Sequence, residues 1–206
     1  MLKFVLVTLL IQKEKKFVAS KFLSPISPLN GYSKEFGENI LEEVNDLEII
    51  SLATSVENQK FLDQNIIKLL NINLPLTGKS SISDDKKSRI IGLSVDQWLA
   101  IFKSGENDSE AIFKNALSDD VYLTTQTDAW VILRISGPLA LKALERICPI
   151  NLEPDVFLEN DIARTIMEHL GSIVICEKVG SYLVMSASSS AKSFLHALET
   201  SLQNVN

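Results

Sequence analysis

The chain has 206 residues, of which 46% are hydrophobic and 22% charged. This composition is typical of a globular protein and excludes a disordered or fibrous chain. The net charge of −6 provides no basic surplus for phosphate groups, so we expect no nucleic-acid partner. Two cysteines, Cys148 and Cys176, lack the C-x-x-C spacing, which argues against a disulfide framework and favours a reducing, cytoplasmic compartment.

The N-terminus carries an apolar run over residues 1–11, followed by the charged run 13–16. The apolar run is half of the ~20 residues that span a membrane, so we expect no membrane anchor. Three interpretations stay open: a signal-peptide core, an extra strand, or a translation start placed too far upstream. The turn-rich segment 24–31 divides the chain into a predicted N-terminal extension, 1–23, and a single domain, 24–206.

The first half of the chain mixes strand patterns with one helical pattern. Its hydrophobic residues either cluster in short β-like runs or recur at helical spacing. They predict, in chain order, a strand at 47–53, a helix at 59–70, a loop at 71–83, and a pair of short strands at 89–93 and 97–102.

The second half has more strands and ends in an amphipathic helix. Helices are interspersed among hairpins rather than alternating with single strands, which favours an α+β fold with mixed or antiparallel sheets. The predicted elements are a helix from Asp108 or Ser109 to 117, a strand pair at 121–124 and 129–135, a helix from Pro138 to 147, three strands at 162–167, 172–178 and 181–187, and a final helix over 191–202.

The motifs that carry chemistry are missing or incomplete. Residues 77–80 (TGKS) resemble the end of a phosphate-binding loop, but the glycine required five residues before Gly78 is absent and no apolar helix follows. The two histidines, His169 and His196, do not sit at metal-ligand spacing. A hydrolase that joins a serine to one of them in space is one remaining hypothesis, although no G-x-S-x-G elbow is present. We therefore predict no catalytic, cofactor-binding or metal-binding residue in this chain.

Four local motifs follow one another in the order found in one known family. They are Ser27-Pro28-Leu29; Leu74-Pro75 with the strand–turn–strand over 90–99; the strand and helix start over 131–138, with Cys148-Pro149 after the helix; and Phe157 followed by Ala163-Arg164-Thr165. In these motifs, which extend over residues 24 to 200, the chain resembles the gamma-subunit family of heterotetrameric sarcosine oxidase. It departs from the family at Ser94-Val95, where the family has Gly-Pro, and at 187–191, where the family's arginine is missing.

The resemblance implies a fold, a complex and a role. The fold would resemble the N-terminal body of the folate-binding aminomethyltransferase of the glycine cleavage system. The complex would join alpha, beta, gamma and delta subunits, oxidise sarcosine to glycine, transfer the methyl carbon to tetrahydrofolate and reduce oxygen to hydrogen peroxide. FAD, FMN and NAD would lie in the alpha and beta subunits and zinc in delta, so this chain would be a non-catalytic accessory subunit. An alternative is a free-standing folate-binding protein of the same fold, in which Asp96 is the candidate carboxylate for a pterin.

The residues of these motifs also have physical interpretations. Trp98 is predicted to lie in the core, because a large aromatic side chain buries much area. Asp96 is predicted to shape a turn, and the pair Gly137-Pro138 is predicted to end a strand and begin a helix. Arg134 and Arg164 lie in β-like stretches beside apolar residues. Two interpretations stay open for both arginines: a solvent-facing position, or ion pairs at a subunit interface.

Overall fold

The computed structural model describes residues 27–103, 105, 109–117 and 120–206 of the chain. The predicted N-terminal extension, 1–23, lies outside these residues, and so do its signal-peptide and extra-strand alternatives. The helix cap predicted at Asp108 also lies outside them. Among the helices of the described ranges, none is long and apolar enough to span a membrane.

Strands and helices alternate irregularly along the described part of the chain. The strands are β1 (Ser33–Phe36), β2 (Asn39–Glu43), β3 (Leu47–Thr54), β4 (Ser80–Ile82), β5 (Ser88–Gly92), β6 (Gln97–Lys103), β7 (Val121–Thr125), β8 (Trp130–Ser136), β9 (Ile162–Met167), β10 (Leu170–Lys178) and β11 (Ser181–Ala187). The helices are α1 (Gln59–Leu70), α2 (Ser109–Ala116), α3 (Ala140–Glu145) and α4 (Ala191–Val205).

The strands form two antiparallel sheets. The first sheet has six strands in the order β1-β2-β8-β11-β10-β9, and the second has five in the order β4-β5-β6-β3-β7. Neighbouring strands in both sheets run antiparallel. The predicted α+β class with antiparallel sheets and interspersed helices is therefore confirmed.

The two sheets pack face to face, and helices cover their outer faces. Strand β10 illustrates why: Ile173 and Ile175 face the second sheet, whereas Val174 and Cys176 face the opposite core. A strand that is buried on both faces reads as a continuous apolar run, which is the pattern of residues 173–176. Helix α4 covers the first sheet with Phe194, Leu198 and Leu202, and α1 covers the second sheet with Leu62 and Ile66.

The spacing of apolar residues along each helix determines which face of the helix is buried. In α4 the buried residues recur every three or four positions, so they form one stripe toward the sheet. Helix α1 ends where Asn71 adopts a left-handed conformation with φ 56°. Its N–H donates to the carbonyl of Ile67 at 2.9 Å, which closes the last turn.

The predicted strand pair at 121–124 and 129–135 is wrong in its pairing. Both segments form strands, but β7 lies beside β3 in the second sheet and β8 lies between β2 and β11 in the first. The short 3₁₀ turn Thr127–Ala129 carries the chain from one sheet to the other. Strand β8 has apolar residues on both faces, so a central place in a covered sheet buries more of it than a hairpin edge would.

Three further differences concern element boundaries. The predicted loop 71–83 contains β4, a serine-rich strand without hydrophobic alternation that pairs with β5. Strands β1 and β2 were not predicted, because charged residues interrupt their apolar pattern. Helix α3 begins at Ala140 rather than at Pro138, since a turn intervenes in which the N–H of Ala140 donates to the carbonyl of Gly137 at 3.2 Å.

Candidate functional site

Arg134 is the centre of a charged cluster at the end of the layer between the sheets. It lies two residues after Ile132 on β8, and therefore on the same face of the strand. Its Nε donates to Glu177 Oε2 at 2.8 Å and its Nη2 to Glu177 Oε1 at 3.2 Å, while Nη1 donates to Glu42 Oε1 at 3.0 Å. Hydrogen bonds to the two carboxylates, Glu177 first, raise the pKa of Arg134. Its charge is thus matched within this chain.

A second arginine, Arg89, enters the same end of the layer from the second sheet. It lies on β5 and is only 8% exposed. Its Nη1 donates to Ser80 Oγ at 2.7 Å and to Asn160 Oδ1 at 2.9 Å. Burial lowers the pKa of Arg89, and the carboxylates of Glu177 and Glu159 partly oppose that effect.

A seam beside Arg89 joins the edges of the two sheets. The Nζ of Lys79 lies 2.6 Å from Asp161 Oδ1. Backbone hydrogen bonds flank this ion pair, from Ile162 N to Gly78 O at 3.0 Å and from Ser80 N to Asn160 O at 2.7 Å. The segment that resembled a phosphate-binding loop therefore uses its lysine and its backbone to bind the chain's own 160–162 segment.

A cleft of about 320 Å³ lies between the start of α1, the segment 73–77 and the turn 94–95. Trp98 lines it and is buried, with its Nε1 donating to the carbonyl of Pro75 at 2.9 Å. Leu76 and Val95 also line it and are 80% and 63% exposed. The cleft thus has a buried aromatic residue in its wall and two exposed apolar residues at its edge. These two residues, Leu76 and Val95, are here called the cleft rim.

Asp96 lies in the turn between β5 and β6 and does not line this cleft. Its Oδ1 accepts a hydrogen bond from Ser94 Oγ at 2.7 Å, and its carbonyl accepts one from Thr54 N at 3.2 Å. The side chain is exposed, and its carboxylate bonds to its own turn.

Gly137 and Pro138 lie in the turn between β8 and α3. Gly137 has a φ of 125°, and its N–H donates to the carbonyl of Gly180 at 2.9 Å. The side chain of Asn39 fastens the same turn, because its Oδ1 accepts from the N–H of Leu139 at 2.8 Å. Pro138 is exposed in this turn.

Arg164 lies on β9, the outermost strand on one side of the first sheet. It is exposed, and within the described ranges it has neither a hydrogen-bond nor an ion-pair partner through its side chain. Ile166, two residues further along the same strand, is 58% exposed. The structure therefore separates the two predicted arginines: Arg134 is paired within the chain, and Arg164 is open to solvent.

The histidines lie apart from these groups. His169 occupies the turn between β9 and β10, and His196 lines a shallow groove of about 300 Å³ between α4 and the end of α3. In the part of the chain that the structure describes, neither is hydrogen-bonded to a serine, and no group of three or more His, Cys, Asp or Glu residues could hold a metal ion.

The fold has counterparts among solved structures. A chain of the heterotetrameric sarcosine oxidase from Corynebacterium sp. U-96 superposes with a TM-score of 0.76 at 17% sequence identity, covering 87% of this chain and 95% of the other. This chain therefore has the fold of a sarcosine oxidase subunit. The glycine cleavage system aminomethyltransferase T from Bartonella henselae gives a TM-score of 0.53 at 12% identity, covering 76% of this chain and 44% of the other.

These likenesses confirm both fold relationships that the sequence motifs implied. This chain spans less than half of the length of the aminomethyltransferase but nearly all of the matched sarcosine oxidase chain. No protein-family model matches the sequence. No curated protein sequence matches it significantly.

Proposed function

We propose that this chain is the gamma subunit of a heterotetrameric sarcosine oxidase, an accessory chain that carries no catalytic group. The observation that carries the proposal is the fold match, which extends over 95% of a chain of that enzyme. The four sequence motifs support it independently, because they follow the order of the gamma-subunit family.

The proposed assembly contains alpha, beta and delta subunits as partners. It oxidises sarcosine to glycine, passes the methyl carbon to tetrahydrofolate and reduces oxygen to hydrogen peroxide. FAD, FMN and NAD are assigned to the alpha and beta subunits and zinc to delta. An accessory role agrees with the pairing of the charged side chains. Arg134 is bonded to Glu42 and Glu177 and Lys79 to Asp161, rather than facing an open pocket.

The cleft rim is the surface that we assign to a partner subunit. Permanent subunit interfaces are apolar at their centre, and an exposed apolar patch beside a cleft is a candidate for such a contact. Leu76 and Val95 project from the rim of a cleft with an aromatic residue in its wall, a shape that accepts an apolar side chain from a partner. Arg164 and Ile166, on the edge strand β9, form a second candidate contact.

Purification of the tagged chain from its native host tests the proposal. The expected result is a yellow complex with three further chains, a flavin absorbance spectrum, and hydrogen peroxide production that depends on sarcosine. A colourless chain that is recovered alone, stays soluble and unfolds cooperatively would contradict it. Proteins recovered without flavin and without sarcosine-dependent peroxide would also contradict it.

The free-standing folate-binding protein is the weaker alternative. It would bind a pterin through Asp96, whose carboxylate is bonded within its own turn and lies outside the cleft lining. Tight binding of tetrahydrofolate by the isolated chain, lost on Asp96→Asn and retained on Asp84→Asn, would favour this alternative over the subunit proposal.

A further inference from the structure

Arg89 is a buried arginine without a counter-charge in contact. The residue is 8% exposed, and its two hydrogen-bond acceptors, Ser80 Oγ and Asn160 Oδ1, are both neutral. No carboxylate of the described residues lies within 4.0 Å of its nitrogens. A buried charge is costly unless an opposite charge compensates it, so this arrangement is incomplete.

The guanidinium of Arg89 also has unused donors. Both bonds are made by Nη1, which leaves the Nε–H and the two Nη2–H groups without an acceptor. Every fully buried side-chain nitrogen in the described part of the chain has a partner. The Nε and Nη2 atoms of Arg89 have none, so they must be reached by solvent. The Nε and Nη2 edge of the guanidinium is therefore the part of this buried side chain that is open to solvent.

The nearby carboxylates are committed to other groups. Glu177 is held by Arg134 through two hydrogen bonds, and Asp161 is held by Lys79 at 2.6 Å. Glu159 is exposed and has no partner among the described residues, so it is the one neighbouring side chain that could compete for Arg89.

We propose that Arg89 binds a carboxylate group through its Nε and Nη2 atoms. Two parallel N–H donors in one plane match the two oxygens of a carboxylate in length and direction. The neighbouring ion pairs do not reach Arg89, because Arg134 contacts Glu42 and Glu177 and Lys79 contacts Asp161. A carboxylate adds one negative charge beside Glu177, whereas a phosphate dianion adds two and is repelled more strongly. This site is independent of the proposed subunit function.

Side-chain NMR of the full chain tests the site directly, with sodium acetate as the probe and sodium chloride at equal ionic strength as the control. The Arg89 Nε–H resonance, assigned by through-bond connection to its own backbone amide, is expected to shift and saturate with acetate. The Arg134 Nε–H group is already bonded to Glu177 and is expected not to respond. Inorganic phosphate at the same ionic strength should bind at least tenfold more weakly than acetate.

A second variant keeps the test decisive even if Arg89→Lys does not fold. Glu159→Gln removes the competing carboxylate from an exposed position, and the acetate affinity is expected to rise severalfold. Absence of a saturable acetate shift at Arg89 in both the wild type and Glu159→Gln would overturn the proposal. An equal response of Arg89 and Arg134 would also overturn it, because it would indicate nonspecific anion binding.

Recovery of the assembled complex with the Arg89→Lys chain shows whether a partner subunit or a small molecule supplies the carboxylate. If a partner subunit supplies an Asp or Glu side chain, an Arg89→Lys chain that is folded by circular dichroism should fail to recover the complex. If a small molecule supplies the carboxylate, Arg89→Lys should assemble normally and lose only acetate binding. Failure of the wild-type chain to assemble would contradict the subunit function alone, since the acetate titration uses the isolated chain.

Discussion

Arg134 and Glu177 form a two-pronged ion pair across a strand that lies between them. Arg134 is on β8 and Glu177 on β10, and β11 separates these strands in the first sheet. The pair joins at 2.8 and 3.2 Å, and Ser181 on β11 donates to the same carboxylate at 3.2 Å. The Glu177 carboxylate therefore ties β8, β10 and β11 together at the end of the layer between the sheets.

A double-mutant cycle on this pair should reveal coupling. We expect Arg134→Met to lower the free energy of unfolding by about 1–3 kcal/mol, because two carboxylates lose their partner. The double mutant that combines Arg134→Met with Glu177→Gln gives the coupling energy between the two side chains. We expect about 1 kcal/mol, since the pair is partly exposed and screened by water. Urea unfolding monitored by fluorescence measures all four proteins.

Arg164→Met is the matched control for this cycle. Arg164 is also an arginine on a strand of the first sheet, but its side chain is exposed and without a partner in the described ranges. Its replacement should change the free energy of unfolding by no more than about 0.5 kcal/mol. Equal losses for the two arginines would show that the ion pair contributes nothing beyond a surface charge.

The hydrogen bond between Tyr32 and Glu199 should make stability depend on pH at both ends of the scale. The phenol donates to Glu199 Oε1 at 2.7 Å, and Lys34 Nζ donates to the same oxygen at 3.0 Å. The bond from Tyr32, and then the one from Lys34, lowers the pKa of Glu199. Burial first, and then Glu199, raises the pKa of Tyr32.

The direction of each pH effect on stability follows from whether the folded or the unfolded chain binds the proton more tightly. The lowered pKa of Glu199 means that its contribution is complete above the unfolded-state value of about 4.3 and is lost as the pH falls through the folded value. The raised pKa of Tyr32 means that its contribution is complete below about 10 and is lost as the pH rises through the folded value. Tyr32→Phe should therefore cost about 1 kcal/mol near pH 7 and progressively less below pH 4.

Equilibrium unfolding of the wild type and Tyr32→Phe across pH 3 to 9 measures the acid side of this dependence, which comes from Glu199. Tyr122→Phe is the control, because Tyr122 is exposed on β7 and should give no difference at any pH. A Tyr32→Phe effect that stays constant down to pH 3 would show that the ionised Glu199 does not take part.

Local patterns predicted the fold where a segment's partner is close in sequence. The meander β9–β10–β11 has apolar runs separated by short polar turns, so its three strands were predicted close to their observed bounds. The segments of β7 and β8 have the same local appearance, yet they belong to different sheets. Only the packing of the whole molecule distinguishes the two cases, because hairpin spacing does not reveal which sheet needs a central strand.

The candidate site was less predictable than the fold. Strand alternation does put Arg134 on the same face as Ile132, but its two carboxylate partners lie 43 and 92 positions away in the sequence. Nothing in the local sequence marks Arg89, since its acceptor Asn160 is 71 positions away. For Arg134 the sequence left open a solvent-facing position or a subunit interface, and the structure adds that its guanidinium is paired with two carboxylates of the same chain.

Gly137 should tolerate no side chain. Its φ of 125° is rare for residues with a Cβ, and a Cβ there would lie 2.6 Å from Asn39 Oδ1 and 2.7 Å from the carbonyl oxygen of Glu38. Gly137→Ala should therefore cost about 1–3 kcal/mol from backbone strain alone, and more from displacement of Asn39. Gly171→Ala is the control, because no atom lies within 4 Å of its Cβ position. Thermal unfolding that gives equal losses for both variants would contradict the strained turn.

Replacement of the cleft rim should separate assembly from folding. Leu76→Asp and Val95→Asp put charges where the side chains are 80% and 63% exposed, so the free energy of unfolding of the isolated chain should change by about 0.5 kcal/mol or less. At a partner interface the same charges would be buried without a counter-charge, which should reduce recovery of the complex at least tenfold. Val179→Asp, at an exposed hairpin tip, controls for the loss of an apolar surface residue and should assemble normally. Full recovery of the complex with both rim variants would show that the cleft rim does not contact a partner subunit, and the edge strand β9 would be the surface to test next.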